Sequence, residues 1–302
     1  MLRGESGKPI VVTQYYRRET QEFMLRKPHQ ICRITPELET ILTREDIGEF
    51  VKKEKEEIEQ TIRNIGLTLR PAELKDFSGI RQLLCKRFNP DTAAQISFYD
   101  AYRAIRHGYT MVLEDAGGAI VGYDYSLGYD DEDKTSFGLN IAIHPDWAGF
   151  KLQTLVSIYT SLLGMERGSR VRRGIVHPNN VISLHNLLNN TGFLCEHFYG
   201  YLPGFESSRF ILSFSLTPAG LMNNRIDLEK LVDYIGESAE GTDYMLVDCE
   251  DEKSIDDMYQ TTSFRVVAFL RAGLMTDKNM LFAVPHERMN FPPSALYQAP
   301  VG

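Results

Sequence analysis

The chain has few cysteines and no arrangement that would pair them. Its four cysteines, Cys32, Cys85, Cys195 and Cys249, are widely separated, and the absence of a CxxC pair excludes a zinc site built from neighbouring residues. No apolar run approaches the ~18–20 residues that cross a bilayer, and the N-terminus has no apolar signal segment. Scattered thiols without a signal segment favour a reducing compartment, so we expect a soluble, cytoplasmic protein with no membrane partner.

Positive charge is also scarce. The 302 residues include 33 Lys and Arg against 41 Asp and Glu, for a formal net charge of −8 at pH 7. Because a protein that binds nucleic-acid phosphates needs a basic face, we expect no nucleic-acid partner. The acidic excess is concentrated in residues 216–302, which carry 7 basic and 14 acidic side chains. Such a surface would attract cationic ligands.

The first 66 residues form an extension with one clear helical pattern. Residues 1–42 show little periodicity, whereas apolar residues recur at helical spacing from Thr43 to Ile65, before Gly66. The charged run at residues 52–57 predicts a solvated helix face, since opposite charges lie three and four residues apart. A helix that docks another protein is the alternative.

Short strands and helices alternate between Leu67 and Leu216, in the order β-α-α-β-β-β-α-β-α-β-β. The turn signal Asp115–Gly118 predicts an antiparallel hairpin, and the helix from Gly149 to Met165 crosses between two parallel strands. The sequence therefore predicts an α/β fold with a mixed sheet. A Rossmann fold is excluded, because its element order differs and no GxGxxG fingerprint is present.

The sequence pattern of residues 217–302 predicts a small acidic α/β unit. The segments Tyr244–Val247 and Met280–Val284 are too apolar for exposed strands, so we expect this unit to pack on the central core. The expected division is therefore an extension at 1–66, a central domain at 67–216 and a C-terminal unit at 217–302. The C-terminal helices and strands are expected at Ile226–Ile235, Tyr244–Asp248, Lys253–Tyr259, Phe264–Leu270 and Met280–Val284.

Four segments of the central domain resemble motifs of one family, in the family's order. Together they resemble the GNAT superfamily of acyl-CoA-dependent N-acyltransferases, over residues ~67–216. The segments are Leu69-Arg70-Pro71-Ala72 with Asp76, the hairpin from Glu114 to Tyr123, the strand and turn from Leu139 to Trp147, and Val176-His177-Pro178-Asn179-Asn180 with Ser183 and Gly192-Phe193.

This resemblance implies an acyl-CoA co-substrate and no metal. In the family, backbone groups of the fourth strand bind the pantetheine arm, and the following helix directs its N-terminus at the CoA pyrophosphate. Free backbone N–H groups and the helix dipole make such a helix end an anion site. The residues that the resemblance places against CoA are Ile141, Ala142, Ile143, Gly149, Phe150, Lys151, Leu152, Gln153 and Asn180.

The chain departs from the family pattern at the pyrophosphate loop. The family has Arg or Gln, two residues, Gly, one residue, then Gly or Ala, whereas Ala148, Lys151 and Gln153 occupy those three places here. Gly149 lies two places early. Glycine in such a loop lets the backbone approach phosphate closely, and Lys151 could supply a positive charge instead.

The family's chemical groups are also replaced. The position of a general-acid Tyr holds Leu188, and the position of a Glu holds Ile175, or Gly174 if Asn179 is the matching residue. The segment from Asn180 to Gly192 is one residue longer than in the family. The alignment of this segment with the family pattern is therefore uncertain by one residue.

Acyl transfer to an amine needs a base for the ammonium group and a donor for the leaving thiolate. We consider Asp124 and His185 the candidate catalytic residues. Asp124 is either a base bordering the acceptor groove or an outward, solvated edge residue, and His185 is either functional or a structural helix residue. Further candidates, each with a packing or solvated alternative, are His144, His177, Tyr199, Tyr201 and the loop Asp130–Asp133.

The sequence therefore predicts an enzyme that transfers an acetyl or other short acyl group from acyl-CoA to a primary amine of a small molecule or peptide. We expect direct attack in a ternary complex, because no Cys or Ser lies beside a base in a recognisable motif. The alternative is a catalytically weak or silent GNAT-fold module that binds CoA or a protein. A homodimer is left open.

Overall fold

The computed structural model describes residues 44–88, 98–128, 135–202, 205–216, 226, 228–238 and 240–285. Contacts divide the described chain into two compact units, residues 45–170 and residues 171–202 with 206–285. Expectations for residues 1–43, for the loop Asp130–Asp133 and for the residues after Pro285 lie outside the described residues. The three-domain division of the sequence stays a prediction.

In its described residues, the first unit contains four α-helices and four strands. The helix predicted from Thr43 to Ile65 is confirmed as α1, and its Val51, Ile58 and Ile62 side chains are buried. The elements are α1 Arg44–Asn64, β1 Thr68–Pro71, α2 Phe77–Arg87, α3 Phe98–His107, β2 Met111–Glu114, β3 Ile120–Gly128, β4 Thr135–Ile143 and α4 Leu152–Glu166.

Polar contacts attach α1 to α4. Lys55 Nζ donates to Glu166 Oε1 at 2.9 Å, and Tyr159 Oη donates to Glu59 Oε1 at 2.7 Å. Lys52 and Lys53 remain exposed. The helix therefore has an apolar buried side and a charged side, as its pattern predicts.

The four strands of the first unit pair antiparallel in the order β1-β2-β3-β4. Gly122 of β3 lies between Leu113 and Ile143, and a Cβ atom at Gly122 would lie 2.8 Å from a methyl group of each. Glycine therefore allows this close approach. Apolar residues of α2, α3, β2, β3 and β4 form one buried cluster, which includes Tyr123 and Tyr125.

In the described part of the second unit, strands pair antiparallel in the orders β5-β7-β6 and β8-β10-β9. Its elements are β5 Val171–Val176, α5 Val181–Leu184 continuing as a π-helix His185–Asn190, β6 Leu194–Leu202, β7 Ser207–Ser215, α6 Leu228–Glu237, β8 Met245–Asp248, α7 Glu252–Thr261, β9 Phe264–Leu270 and β10 Met280–Pro285.

The C-terminal sheet packs against β6. Tyr259 Oη donates to the Cys195 carbonyl oxygen at 3.0 Å and accepts from the Val266 backbone nitrogen at 3.3 Å. The Tyr259 hydroxyl thus joins β6 to β9. A separate buried cluster formed by α6, β9 and β10 lies around Phe282.

The predicted order β-α-α-β-β-β-α-β-α-β-β is confirmed over residues 68–215, and the predicted α/β fold with it. The hairpin at Asp115–Gly118 is confirmed as β2–β3, with Gly118 at a φ of 80°. The parallel pairing expected on either side of α4 involves strands of different units and stays a prediction.

Candidate active site

The C-terminal end of β4 carries three residues expected to bind the pantetheine arm. Ile141, Ala142 and Ile143 pair with Asp124, Tyr123 and Gly122 of β3. Because paired residues of an antiparallel ladder direct their side chains to the same face, Asp124 shares a face with Ile141. Ala142 lies in the apolar cluster on the other face.

The chain leaves β4 through a short 3₁₀ turn, Pro145–Trp147. The His144 carbonyl oxygen accepts from the Trp147 nitrogen at 3.0 Å, and the Pro145 carbonyl oxygen accepts from the Ala148 nitrogen at 3.0 Å. His144 Nδ1 accepts from the Asp146 nitrogen at 3.3 Å. The predicted site residue His144 therefore has a local structural partner.

Two residues with positive φ lie between this turn and α4. Gly149 has a φ of 91°, which only glycine adopts without cost, and no atom lies within 4 Å of the position that a Cβ would take. Lys151 has φ 56° and ψ 19°, in the left-handed region that disfavours lysine by roughly 1–3 kcal/mol. The early glycine of the sequence is thus explained, and strain is concentrated at Lys151.

The N-terminus of α4 is not capped by a side chain. Lys151 occupies the capping position without a side-chain hydrogen bond, and the helical ladder begins with the Leu155 nitrogen donating to the Lys151 carbonyl oxygen at 3.0 Å. N–H groups of a first turn have no acceptor within their own helix. Gly149, Phe150 and Lys151 are exposed, whereas Leu152 is buried and Gln153 is partly buried.

Asp124 lies in the interior, beneath α4. The residue is 1% exposed, Ser126 Oγ donates to its Oδ1 at 2.8 Å, and Thr160 Oγ1 donates to its Oδ2 at 2.8 Å. The alternative of an outward, solvated edge residue is therefore wrong. Its role as a base stays a prediction, and the observed contacts connect it to α4.

Asn180 begins α5. Its Oδ1 accepts from the Ser183 nitrogen at 3.2 Å, and its own nitrogen donates to the His177 carbonyl oxygen at 2.9 Å. The neighbouring Asn179 nitrogen donates to His177 Nδ1 at 3.0 Å. Asn180 therefore caps the N-terminus of α5. The pKa of His177 is lowered, first by burial and then by the positive charge of Arg209.

The extra residue between Asn180 and Gly192 coincides with a π-helix. The hydrogen bonds of a π-helix join residues five apart, whereas those of an α-helix join residues four apart. The π-helix His185–Asn190 therefore accommodates the additional residue. Leu188, at the place of the family's Tyr, is fully buried. Asn189 is also buried and contacts both His185 and Phe269.

The candidate tyrosines of β6 differ in exposure. Tyr201 is 63% exposed, whereas Tyr199 is partly buried with its ring centroid 4.3 Å from that of His197. Burial and the charge of Glu196 raise the pKa of Tyr199. A phenol with a raised pKa stays protonated and can donate a hydrogen bond.

The two buried thiols, Cys195 and Cys249, are poor nucleophiles. Burial raises the pKa of Cys195 well above its usual value and that of Cys249 to about 11. Because the thiolate is the reactive form, neither suits a covalent acyl intermediate. Among the described residues, no group of three His, Cys, Asp or Glu side chains could hold a metal ion.

Sequence reasoning did not identify Thr160 or Asn189 as residues of interest. Thr160 is one of several Ser and Thr residues of α4 whose side chains are buried. Their recurrence at intervals of three and four residues was the sequence signal for a buried polar contact. The added length before Gly192 was the signal for Asn189. The buried hydroxyl residues are Thr154, Ser157, Thr160 and Ser161.

No family model and no curated protein matches the chain. The solved structures that resemble it include a chimera of the Vibrio cholerae spermidine N-acetyltransferase SpeG and hSSAT, at 17% identity over 50% of this chain and 96% of that one, with a TM-score of 0.42. The ribosomal-protein-S18-alanine N-acetyltransferase of Escherichia coli is similar at 15% identity over 51% and 96%, with a TM-score of 0.42.

A third structure, the GNAT-like decarboxylase GphF with isobutyryl-CoA, is similar at 15% identity over 49% and 98%, with a TM-score of 0.41. At these similarities the structures do not assign an activity or a substrate to this chain. The element order over residues 68–215 is the one that the sequence pattern predicts. No helix in the described part of the chain combines the length and apolarity that a membrane crossing needs.

Proposed function

We propose that this protein is an acyl-CoA-dependent N-acyltransferase of the GNAT type. It transfers an acetyl or other short acyl group to a primary amine of a small molecule or peptide. The observation that carries the proposal is the N-terminus of α4, which has no side-chain cap and follows β4 after the turn Pro145–Trp147. The strained residue Lys151 occupies its capping position. Backbone strain that persists in a folded protein is concentrated at functional sites.

The residues at this helix end fit the pyrophosphate of CoA. The N–H groups of a first helical turn have no acceptor within their own helix, and together with the positive end of the helix dipole they favour an anion there. The exposed Lys151 adds a positive charge, and the open space beside Gly149 leaves room for a phosphate against the backbone. Ile141–Ile143 would hold the pantetheine arm through backbone groups, and Asn180 is proposed as a further CoA contact.

Acyl-CoA supplies an acyl group activated as a thioester. The chain's part is to hold this thioester and to receive the amine as its free base. The free amine nitrogen bonds to the carbonyl carbon and becomes cationic, and it then loses a proton to a base. The carbon–sulfur bond breaks, and the CoA thiolate that leaves is protonated. The raised pKa values of Cys195 and Cys249 support direct transfer without an acyl-enzyme.

Calorimetry with acetyl-CoA, followed by a thiol-release assay over a panel of polyamines, amino acids and peptides, tests the proposal. We expect binding, and release of CoA that depends on one class of amine. Binding without release would favour the silent module, which the buried Leu188 at the position of the family's Tyr also favours. Absence of acetyl-CoA binding would refute the enzyme and the CoA-binding module, and would leave only a module that binds a protein.

A further inference from the structure

The backbone of Phe269 orients the side-chain amide of Asn189. The Phe269 nitrogen donates to Asn189 Oδ1 at 2.9 Å, and Asn189 Nδ2 donates to the Phe269 carbonyl oxygen at 2.6 Å. A backbone N–H can only donate and a backbone C=O can only accept. The two contacts therefore determine which atom of the amide is nitrogen and which is oxygen.

The oriented amide in turn determines the state of His185. Asn189 Nδ2 lies 3.1 Å from His185 Nδ1. An amide nitrogen has two hydrogens to donate and accepts none, so one hydrogen reaches Phe269 and the other is available to His185. Nδ1 must then be the acceptor, and the neutral ring carries its hydrogen on Nε2.

Protonation of His185 is disfavoured in this environment. A second ring hydrogen on Nδ1 would point at the N–H of Asn189. Partial burial, followed by the positive charge of Arg271, lowers the pKa of His185 to about 4. The ring of Phe269 lies across it, with the centroids 6.5 Å apart. Within the described residues, Nε2 makes no hydrogen bond, and it is not one of the buried polar atoms without a partner.

We propose that Asn189 is a positioning residue that holds His185 as a neutral imidazole, with its Nε2–H available to a substrate. His185 then acts as a hydrogen-bond donor and not as a base. The use of this donor rests on the proposed function. It suits a substrate oxygen that gains negative charge during the reaction, and no proton is transferred in that contact.

Nuclear magnetic resonance of the full chain labelled with ¹⁵N-histidine tests the tautomer without any substrate. For wild type we expect the Nε2–H form of His185, with no titration between pH 8 and about pH 5. In Asn189→Asp, the carboxylate should attract the hydrogen to Nδ1 and raise the proton affinity of the ring tenfold or more.

Asn190→Asp is the matched control. Asn190 is the next residue of the same π-helix, and its Nδ2 donates to Asn186 Oδ1 at 3.3 Å. This variant adds the same charge without touching His185, and it should leave the tautomer unchanged. A wild-type His185 found as the Nδ1–H form, or as a cation at pH 7, would overturn the inference even if Asn189→Asp failed to fold.

Kinetics separate this inference from the proposed function. With acetyl-CoA and an accepted amine, Asn189→Asp should lower kcat about 10²-fold, the scale for loss of one oxyanion donor, with little change in the KM for acetyl-CoA. His185→Gln, which retains an N–H donor, should be more active than His185→Ala. Full activity in Asn189→Asp would refute the inference alone. A wild type that releases no CoA would refute the proposed function and leave the tautomer result standing.

Discussion

Thr160 Oγ1 lies 2.8 Å from Asp124 Oδ2 and joins α4 to the central strand β3. Ser126 donates to the other carboxylate oxygen. A buried carboxylate is tolerated only where hydrogen bonds replace its hydration, and removal of one partner leaves the other unsatisfied. The contact therefore positions α4, the helix whose N-terminus is the proposed CoA site.

Two substitutions distinguish a structural from a catalytic Asp124. Asp124→Asn and Thr160→Val should each lower the free energy of unfolding by about 1–3 kcal/mol, because each removes a buried hydrogen bond. Urea denaturation measures this loss. If Asp124 is the base, Asp124→Asn alone should also lower kcat far more than it raises the KM for CoA. Equal kcat values in the two variants would leave Asp124 with a structural role.

Lys151 combines a charge with a strained backbone, and two variants separate them. Lys151→Glu keeps the strain and reverses the charge, so CoA binding should weaken tenfold or more, since a charge-assisted contact contributes about 1.5–3 kcal/mol. Lys151→Gly removes the charge and relieves the strain, so the protein should become more stable while CoA still binds less well.

Calorimetry and thermal melting of the two Lys151 variants provide the comparison. The control is Lys53→Glu, at an exposed position of α1 whose Lys53–Glu57 pair is 3.8 Å long. This control should bind CoA as wild type does. Unchanged CoA affinity in Lys151→Glu would place the CoA site elsewhere.

The hydroxyl of Tyr259 should contribute to the attachment of the C-terminal sheet. Tyr259→Phe removes the contacts with the Cys195 oxygen and the Val266 nitrogen, and leaves both backbone groups without that partner. We expect a loss of about 1–3 kcal/mol in the free energy of unfolding.

Truncation after Leu216 removes the whole sheet and should yield an aggregating product. A soluble truncated protein that melts cooperatively would contradict this expectation.

The pH dependence of stability should report the environment of His185. Its pKa falls from 6.5 to about 4 on folding, so the unfolded chain binds more protons between these values. Stability is therefore complete above pH 6.5 and is lost as the pH falls towards 4. Because the ring is half-buried, we expect this loss to be about 2 kcal/mol at most.

Urea denaturation of wild type and His185→Gln at pH 7 and pH 4.5 measures the His185 contribution. The variant should lose less stability between the two pH values. His177, whose pKa is also lowered by folding, contributes in the same direction in both proteins and cancels in the comparison. Identical losses would show that His185 titrates normally.

The order of elements was predictable because periodicity and turn residues are local properties. The position of Asp124 on β3 was also predictable, but the sequence could not say whether its face of the strand is covered by α4. That depends on Thr160, which is 36 residues away. The left-handed conformation of Lys151 was not predictable, since lysine disfavours it and only the surrounding structure imposes it.

The contact of Asn189 with Phe269 could not be predicted from the sequence either, because it joins residues that are far apart along the chain. The added length before Gly192 was visible in the sequence, yet the partner of the buried amide lies 80 residues further along. Pairings at such separation leave no periodic signal. The candidate residue His185 was therefore identifiable, while its protonation state was not.

The hydrogen bonds between Asn189 and Phe269 also set a sequence of events during biosynthesis. A ribosome adds roughly 5–20 residues per second, so β9 emerges several seconds after the π-helix has been made. Contacts between distant residues also form late in folding, because a long loop must close first. During that interval the side-chain amide of Asn189 lacks its partner, so its two hydrogen bonds with Phe269 can form only after β9 has been made.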